Sequence, residues 1–519
     1  MTQDFVVEDQ SAVEALLVDP DTHGGENPTR VDTHGAVVFL TKNRVYKMKR
    51  AVKFPYMDFS TREKRLAALE EEFQRNRQTA PGLYCGIAPI TKSEEGLRLG
   101  AAGDTDPEAV EHVLIMRRFE ATFDEIAERG ELKPGYIVTI AEQIADFHRC
   151  AELVRRQDAA ARAEDAIRGA AAQARKNPDI LPVKTVDRTE ACLLNLLTSS
   201  RALIRRRSAQ GLERRCHGDL HLRNICLLDG EPALFDAIEF NEEFARIDVL
   251  YDLAFLLMDL EGRGFRHFAN MAMNTYLDRR TAAGWPDEDG LALMPLFLGL
   301  RATIRAEVGA QMAAVQRDDA IAAATRKDAR EHLDQAANML VRNPPRVVAV
   351  GGLSGSGKST LAGALVPLLG RSPGARWLRS DVMRKALRGL GPLERLPGDA
   401  YTTEWSDRVY KYLLKAATSV LSGGHSVVLD AVFAKPAERF AVQAMAARLG
   451  VPFHGIWLDA PLDTRTARVV GRSGDASDAG PSVAKAQSDY DLGPITWRRL
   501  DAATGPEAVL ASARKVLAV

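Results

Sequence analysis

A chain of 519 residues exceeds what one hydrophobic core usually organises, which argues against a single domain and for two or more. Hydrophobic residues at 46% and charged residues at 27% are ordinary for a globular chain that folds unaided. A formal net charge of -1 argues against a protein whose main business is neutralising nucleic-acid phosphates, a local basic groove aside.

The N-terminal stretch MTQDFVVEDQSAVEALLVDP is acidic and lacks a basic flank before a long apolar core, unlike a secretory signal. No stretch approaches the roughly 18 apolar residues of a spanning helix. The cysteines Cys85, Cys150, Cys192, Cys216 and Cys226 are scattered and form no CxxC pair, as expected of reduced thiols. A cytoplasmic protein without a membrane partner is the expectation; oligomeric state is not readable from these patterns.

Residues 1–29 read as a short helical extension. Strand-like alternation follows in VVFLT and NRVYKMK, a charged helix spans Thr61 to Arg77, and LYCGIAPI and EHVLIMRRF continue as strands. From Lys133 to Ser208 the spacing is helical, LFDAIEF suggests a short strand pair, and helices dominate again from Arg246 to Leu340. Pro344 and Pro345 end that run, so a border is placed there, between segments 30–340 and 346–519. Beyond it, strand patterns at 346–351, 375–380, 425–430 and 453–458 alternate with helices, which implies βαβ units and a parallel sheet.

Residues 217–224 read HGDLHLRN. As a zinc site this is weak, because HxxxH stands here without an HExxH context or cysteine pairs. In phosphoryl transfer, an aspartate takes the acceptor's proton, an asparagine five residues on holds Mg2+, and a later aspartate holds Mg2+ as well. Asp219, Asn224 and Asp236 have that spacing. The loop resembles HGDxHxxN of the aminoglycoside phosphotransferase and choline kinase family, a small-molecule branch of the protein-kinase-like fold, and DVLYDLAFLL (248–257) resembles its DxxYDLA helix start. The resemblance covers about residues 30–340 and implies an α+β, bilobal, protein-kinase-like domain. It implies Asp219 as catalytic base and Asn224 and Asp236 as Mg2+ ligands.

Upstream, Lys47 and Lys49 share one face of a strand by period-two alternation, and either could reach ATP phosphates. Lys47 follows Val-Tyr as the family's nucleotide lysine does and is preferred. Its expected partner is Glu72, chosen from Glu70, Glu71 and Glu72. Gly218 stands where protein kinases carry an arginine that reads a phosphorylated activation loop, and Ala-Ile-Glu follows Asp236 in place of Phe-Gly. Phosphorylation-gated protein-kinase activity is therefore disfavoured.

GLSGSGKS (352–359) satisfies GxxxxGK[ST], follows a strand pattern and opens a helical one. Gly352, Gly355 and Gly357 allow backbone N–H groups to wrap phosphates, Lys358 reaches the β and γ phosphates, and Ser359 sits on Mg2+, with Thr360 beside it. Asp381 and Asp430 fall at strand ends, where ligands collect in parallel sheets. About residues 346–519 are similar to the P-loop kinase group of zeta toxins, gluconate kinase, adenylylsulfate kinase and polynucleotide kinase, an α/β fold. That similarity implies Asp381 as the base that activates the acceptor, Arg384 as an acceptor-binding residue and Asp430 as a Walker B-like Mg2+ group. The stretch TRTARVVGRSGDASDAG resembles the lid of these kinases, with Arg468 and Arg472 preferred over Arg465.

The order of the two segments resembles bacterial chains described as bifunctional aminoglycoside phosphotransferase/ATP-binding proteins. Two ATP- and Mg2+-dependent sites acting on hydroxyls of sugars, aminosugars or nucleosides are expected. A polycationic aminoglycoside would call for an acidic acceptor face, whereas the helical region after Asp236 mixes arginine with acid. Three alternatives stand beside this: a 5'-hydroxyl nucleic-acid kinase that uses the rear domain with a basic groove; a regulatory ATP-binding protein with one active domain; and a toxin-like nucleotide-sugar kinase. Separately, IRRRSAQGLERR (204–215) is basic enough for phosphate or nucleic acid, although such runs are usually a solvated helix end.

Overall fold

The structure is a computed structural model and describes residues 6–33, 35–54, 57–156, 158–316, 318–471, 474 and 476–519, with the backbone alone at 398 and 399. The chain forms two compact units: 1–143, 147–157 and 208–256 in the first, and 144–146, 158–207 and 257–519 in the second. The packing border thus differs from the motif border, since helices of 158–207 and 257–340 pack as one body with the P-loop segment.

The first unit is built on a six-stranded sheet, in spatial order Thr29–Asp32, Ala36–Leu40, Arg44–Lys49, Glu111–Arg117, Tyr84–Ser93 and Gly96–Leu99, with every neighbouring pair antiparallel. Alternation sorts its faces. Val37, Phe39, Met48, Ile90 and Val113 pack with Val13 and Leu17 of the helix Ser11–Val18. Val45, Leu114 and Met116 pack with Leu69 of the helix Arg62–Asn76 on the other face. That helix starts at Thr61, whose side chain accepts from the Lys64 amide. Being two and four residues from Val45, Lys47 and Lys49 lie on the face that bears the helix Arg62–Asn76.

LFDAIEF is not a strand pair. The hairpin lies just upstream, Ile225–Leu228 with Glu231–Leu234, and only Leu234 of the heptapeptide belongs to it. Asp229 and Gly230, with φ of 53° and 81°, make the tight turn that right-handed strand twist favours. Residues 235–240 then run irregularly, with Asp236 itself at φ 59°.

In the second unit a five-stranded sheet has the order Arg376–Arg379, Val427–Asp430, Val347–Gly351, Phe453–Asp459 and Arg498–Asp501, all parallel. Every residue of Val347–Gly351 and of Val427–Asp430 is buried, as central strands covered on both faces require. The helices Lys358–Leu365 and Pro506–Leu517 contribute Leu361, Leu365, Val509 and Ala513 to the core beneath. The helices Met294–Val315 and Asp319–Met339 form a hairpin whose core includes Ala306, Ala310, Ala329 and Leu333. Among the described residues no helix is long and apolar enough to cross a membrane.

Candidate active sites

The HGDLHLRN loop is held from below by one carboxylate. Asp252 is fully buried, and its Oδ2 and Oδ1 accept the amide N–H groups of His217 (3.1 Å) and Gly218 (2.8 Å). The His148 Nε2 lies 3.0 Å from Oδ2. His148, Cys216 and Asp252 are the described residues grouped closely enough to hold an ion, but these hydrogen bonds already account for Asp252. Gly218 has φ 86°, and a Cβ there would fall 2.9 Å from Ile238 Cδ1 and 3.1 Å from the Phe244 carbonyl oxygen. The arginine of protein kinases has no room at this position.

His217 staples the loop to the next segment: its Nε2 lies 2.9 Å from the Phe235 carbonyl and its own carbonyl accepts the Ile238 amide at 2.9 Å. Burial lowers its pKa despite nearby Asp252, so the ring is neutral and donates through Nε2. The Asn224 amide donates to the Asp219 carbonyl and to its Oδ2, both at 2.9 Å, and His221 Nε2 stands 3.4 Å from the same oxygen. Asp219 and Asn224 are thereby joined.

Lys47 donates to Glu72 Oε1 and to Asp236 Oδ1, each at 2.7 Å. Lys49 donates to Glu72 Oε2 at 2.7 Å and pairs with Glu239. The fully buried Glu72 therefore takes one lysine on each oxygen, while Glu71 pairs with Arg75 and Arg215. Loss of water contact by itself would lower Lys47 and raise Asp236, whose side chain is still 40% exposed; their mutual attraction, with Glu72 adding to it at Lys47 and Lys49 at Asp236, overrides this and holds both charged. Burial raises Glu239, and Lys49 offsets this only in part. Asn76 completes the frame, bonding the Glu72 carbonyl and accepting the Ala237 amide at 2.8 Å. The nearby charge of Asp219 works against the pull of Lys47 and raises Asp236 slightly. Asp236, Asn224 and Asp219 offer oxygen donors alone, a set that suits a hard cation such as Mg2+.

In the second unit, Gly352, Gly355 and Gly357 have φ of 143°, 81° and 90°. A Cβ on Gly355 would come 2.3 Å from the Arg465 carbonyl oxygen, so the loop passes where only glycine fits. Lys358 donates to the Leu353 carbonyl at 3.2 Å, and Ser354 N–H to the Gln487 side chain at 2.7 Å. Thr360 is exposed.

Asp430 ends a central strand and is buried, with the Ser359 hydroxyl among the groups that lower its pKa. Its Oδ2 has no hydrogen-bond partner among the described residues, with Arg379 Nε 3.7 Å away. Burial raises its pKa more than Arg379 and Lys358 lower it. An orphaned buried carboxylate oxygen beside a phosphate-loop serine fits a Mg2+ shell. Asp381, in the first turn of the helix Ser380–Ala386, acts electrostatically on both Asp430 and Tyr401. Arg384 is buried, donates to the Ala400 carbonyl at 2.8 Å and stacks over Tyr401, while its Nε has no hydrogen-bond partner among the described residues. Arg465 is a strut: buried, it donates to the Ala484 carbonyl and Ser488 Oγ. Arg468 reaches the phosphate loop, its Nη1 lying 3.8 Å from where a Gly357 Cβ would be, and Nη2 bonds the Ala502 carbonyl. Arg472 lies outside the described residues.

The sequence reading did not single out Asp252, His148, Asn76, Glu239 or Arg379. Asp252 sits inside the quoted DVLYDLAFLL, and Glu239 follows Asp236 by three residues; the other three carry no local signal.

Residues 105–291 match the model of the phosphotransferase enzyme family and residues 347–490 that of an AAA domain. The uncharacterized protein Rv2004c of Mycobacterium tuberculosis (strain ATCC 25618 / H37Rv) is 30% identical over 489 residues, 92% of each chain. An adenylyl-sulfate kinase of Myxococcus xanthus is 34% identical over 120 residues, 23% of this chain and 60% of that one. The solved choline/ethanolamine kinase family protein from Mesorhizobium loti aligns with a TM-score of 0.36 at 15% identity, over 65% of this chain and 99% of its own. Over nearly its whole length the chain belongs to one family with the mycobacterial protein, a phosphotransferase domain followed by a P-loop kinase domain, and it is an ATP-dependent phosphotransferase.

Proposed function

We propose that the chain carries two working kinase sites, each transferring the γ-phosphoryl group of ATP to a hydroxyl of a small molecule of the sugar, aminosugar or nucleoside class. The observations that support this are, in the front half, Asn224 bonded to Asp219 in one loop and Lys47 bonded to Asp236, and, in the rear half, the glycine loop that follows Val347–Gly351 with the buried Asp430 at the end of the neighbouring strand.

At the front site Lys47, held by Glu72, orients the ATP phosphates, and Asp219 accepts the proton of the acceptor hydroxyl as its oxygen bonds the γ-phosphorus and the bond to ADP breaks. Asn224 and Asp236 would hold Mg2+. At the rear site the loop amides, Lys358 and Ser359 hold the nucleotide, Asp381 takes the hydroxyl proton, Arg384 contacts the acceptor, and Arg468 and Arg472 close over the transferring group. Ser359 and Asp430 would hold Mg2+, which when bound neutralises charge on the phosphates.

Small molecules are favoured over nucleic acid because most of the basic run 204–215 is paired within the fold, with Arg205 and Arg206 at the surface. Arg207 pairs with Asp287 and Arg206 with Asp289, while Arg214 and Arg215 are buried on carbonyls, Glu71 and Glu242.

The test is phosphoryl transfer to a panel of sugars, aminosugars, nucleosides and oligonucleotides with wild type, Asp219→Asn and Lys358→Ala. Loss of transfer to a different acceptor in each variant supports two kinases. Full activity in Asp219→Asn would make the front half a nucleotide sensor and put the regulatory reading in its place.

A further inference from the structure

The strand Arg376–Arg379 lies at the edge of the rear sheet and leads directly into Ser380 and Asp381. Its inner rim pairs with Val427–Asp430, and the Arg376 amide donates to the Ser426 carbonyl at 3.0 Å. The Ala375 carbonyl and the Trp377 amide point the other way, where an edge strand ordinarily meets solvent or a further strand.

A helix takes that place. Arg266–Ala282, which by sequence belongs to the phosphotransferase-family match, lays one face against the rim. Asn270 Nδ2 donates to the Ala375 carbonyl at 3.0 Å, and Asn274 Nδ2 to the same oxygen at 3.2 Å. Asn274 Oδ1 accepts the Trp377 amide at 2.7 Å and Arg376 Nη1 at 3.1 Å. The two amides, four residues apart on the helix, thus do what a neighbouring strand's backbone would do. A Cβ on Gly374 would come 2.7 Å from Asn270 Nδ2, so the approach requires glycine.

One turn further along, Asp278 Oδ1 forms an ion pair with the fully buried Arg376 Nη2 at 2.6 Å, and Glu288 stands 3.3 Å from the same nitrogen. Asn270, Asn274 and Arg376 are all buried, so water cannot replace these partners cheaply.

We propose that Asn274, with Asn270 and Asp278, is a positioning residue of the rear kinase site: a helix of the front enzyme's sequence fixes the strand that carries Asp381. The rear site then depends on the front segment for its geometry, whatever the state of the front active site. This rests on the assignment of Asp381 as base.

The test uses the full chain with Asp219→Asn to silence the front site, and reads rear-site ATP hydrolysis to water as the rate in excess of that of the Asp219→Asn, Lys358→Ala double variant. Asn274→Ala is expected to lower kcat ~100-fold with KM for ATP within about twofold, since the glycine loop is on another strand. Asn274→Asp keeps the acceptor for Trp377 and Arg376 and is expected to restore turnover to within about threefold of wild type. Combining Asn274→Ala with Asp381→Asn should cost no more than Asp381→Asn alone. Losses that multiply, or an unimpaired Asn274→Ala beside an impaired Asp381→Asn, overturn the positioning role. An unimpaired Asp381→Asn removes the base assignment, and the proposal with it. Amide exchange over residues 376–386 gives a reading independent of turnover: faster in Asn274→Ala and restored in Asn274→Asp is expected, and no change overturns the proposal.

Discussion

The two candidate sites handle buried charge in opposite ways. At the front, every carboxylate of the lysine network has a cation: Glu72 has two, Asp236 has Lys47 and Glu239 has Lys49. At the rear, Asp430 is buried with one oxygen lacking a hydrogen-bond partner among the described residues and Arg379 Nε 3.7 Å away. A network closed on itself is rigid before ligand arrives, whereas an under-compensated carboxylate stores a cost that a bound cation can relieve. One site is organised by its own side chains; the other is organised for what it binds.

The contrast is broken most directly at the front base. Asp219→Asn should reduce front-site transfer ~1,000-fold and leave rear-site transfer unchanged, read as kcat for each acceptor. Next comes the anchor beneath the loop. Asp252→Ala strands two amides and His148 in the interior and should cost about 3–5 kcal/mol, read as a lower Tm together with loss of front activity. A rear-site counterpart is Gly355→Ala, whose methyl meets the Arg465 carbonyl. Rear transfer should fall ~100-fold while front transfer persists.

The smallest effect separates the two sites by sign. Asp236 has a lowered folded pKa, so it stabilises the fold above the ordinary carboxylate value, and this is lost as pH falls through the lowered value. Asp430 has a raised folded pKa, so stability declines as pH climbs from the ordinary value through the raised one, and the penalty is full above it. At neutral pH Asp236→Asn should therefore lower Tm, and Asp430→Asn should raise stability by about 0.5–2 kcal/mol at the expense of rear activity. Below both pKa values the Asp430→Asn gain should vanish. Melting curves of the two variants against pH check both signs.

What was legible in the sequence was what repeats locally. Alternation in NRVYKMK put two lysines on one face, and Thr61 before a charged run marked a helix that the structure begins at Arg62. The hairpin was misplaced because apolar LFDAIEF outweighed Asp-Gly at 229–230, the stronger signal for a turn. The strand Arg498–Asp501 escaped because three of its four residues are exposed, leaving no apolar pattern to see. Arg379 at Asp430, and Asn274 on the Trp377 amide, are contacts across 51 and 103 positions, which no window along the chain contains.

The helix laid along the outer strand also bears on how this protein can be taken apart. A fragment beginning at 346 would bare the Ala375 carbonyl, the Trp377 amide and the Arg376 guanidinium together, a sticky rim that invites sheet-to-sheet association. Such a fragment should precipitate or self-associate more readily than the 519-residue chain, because the asparagines that cover the rim lie in the segment it has lost.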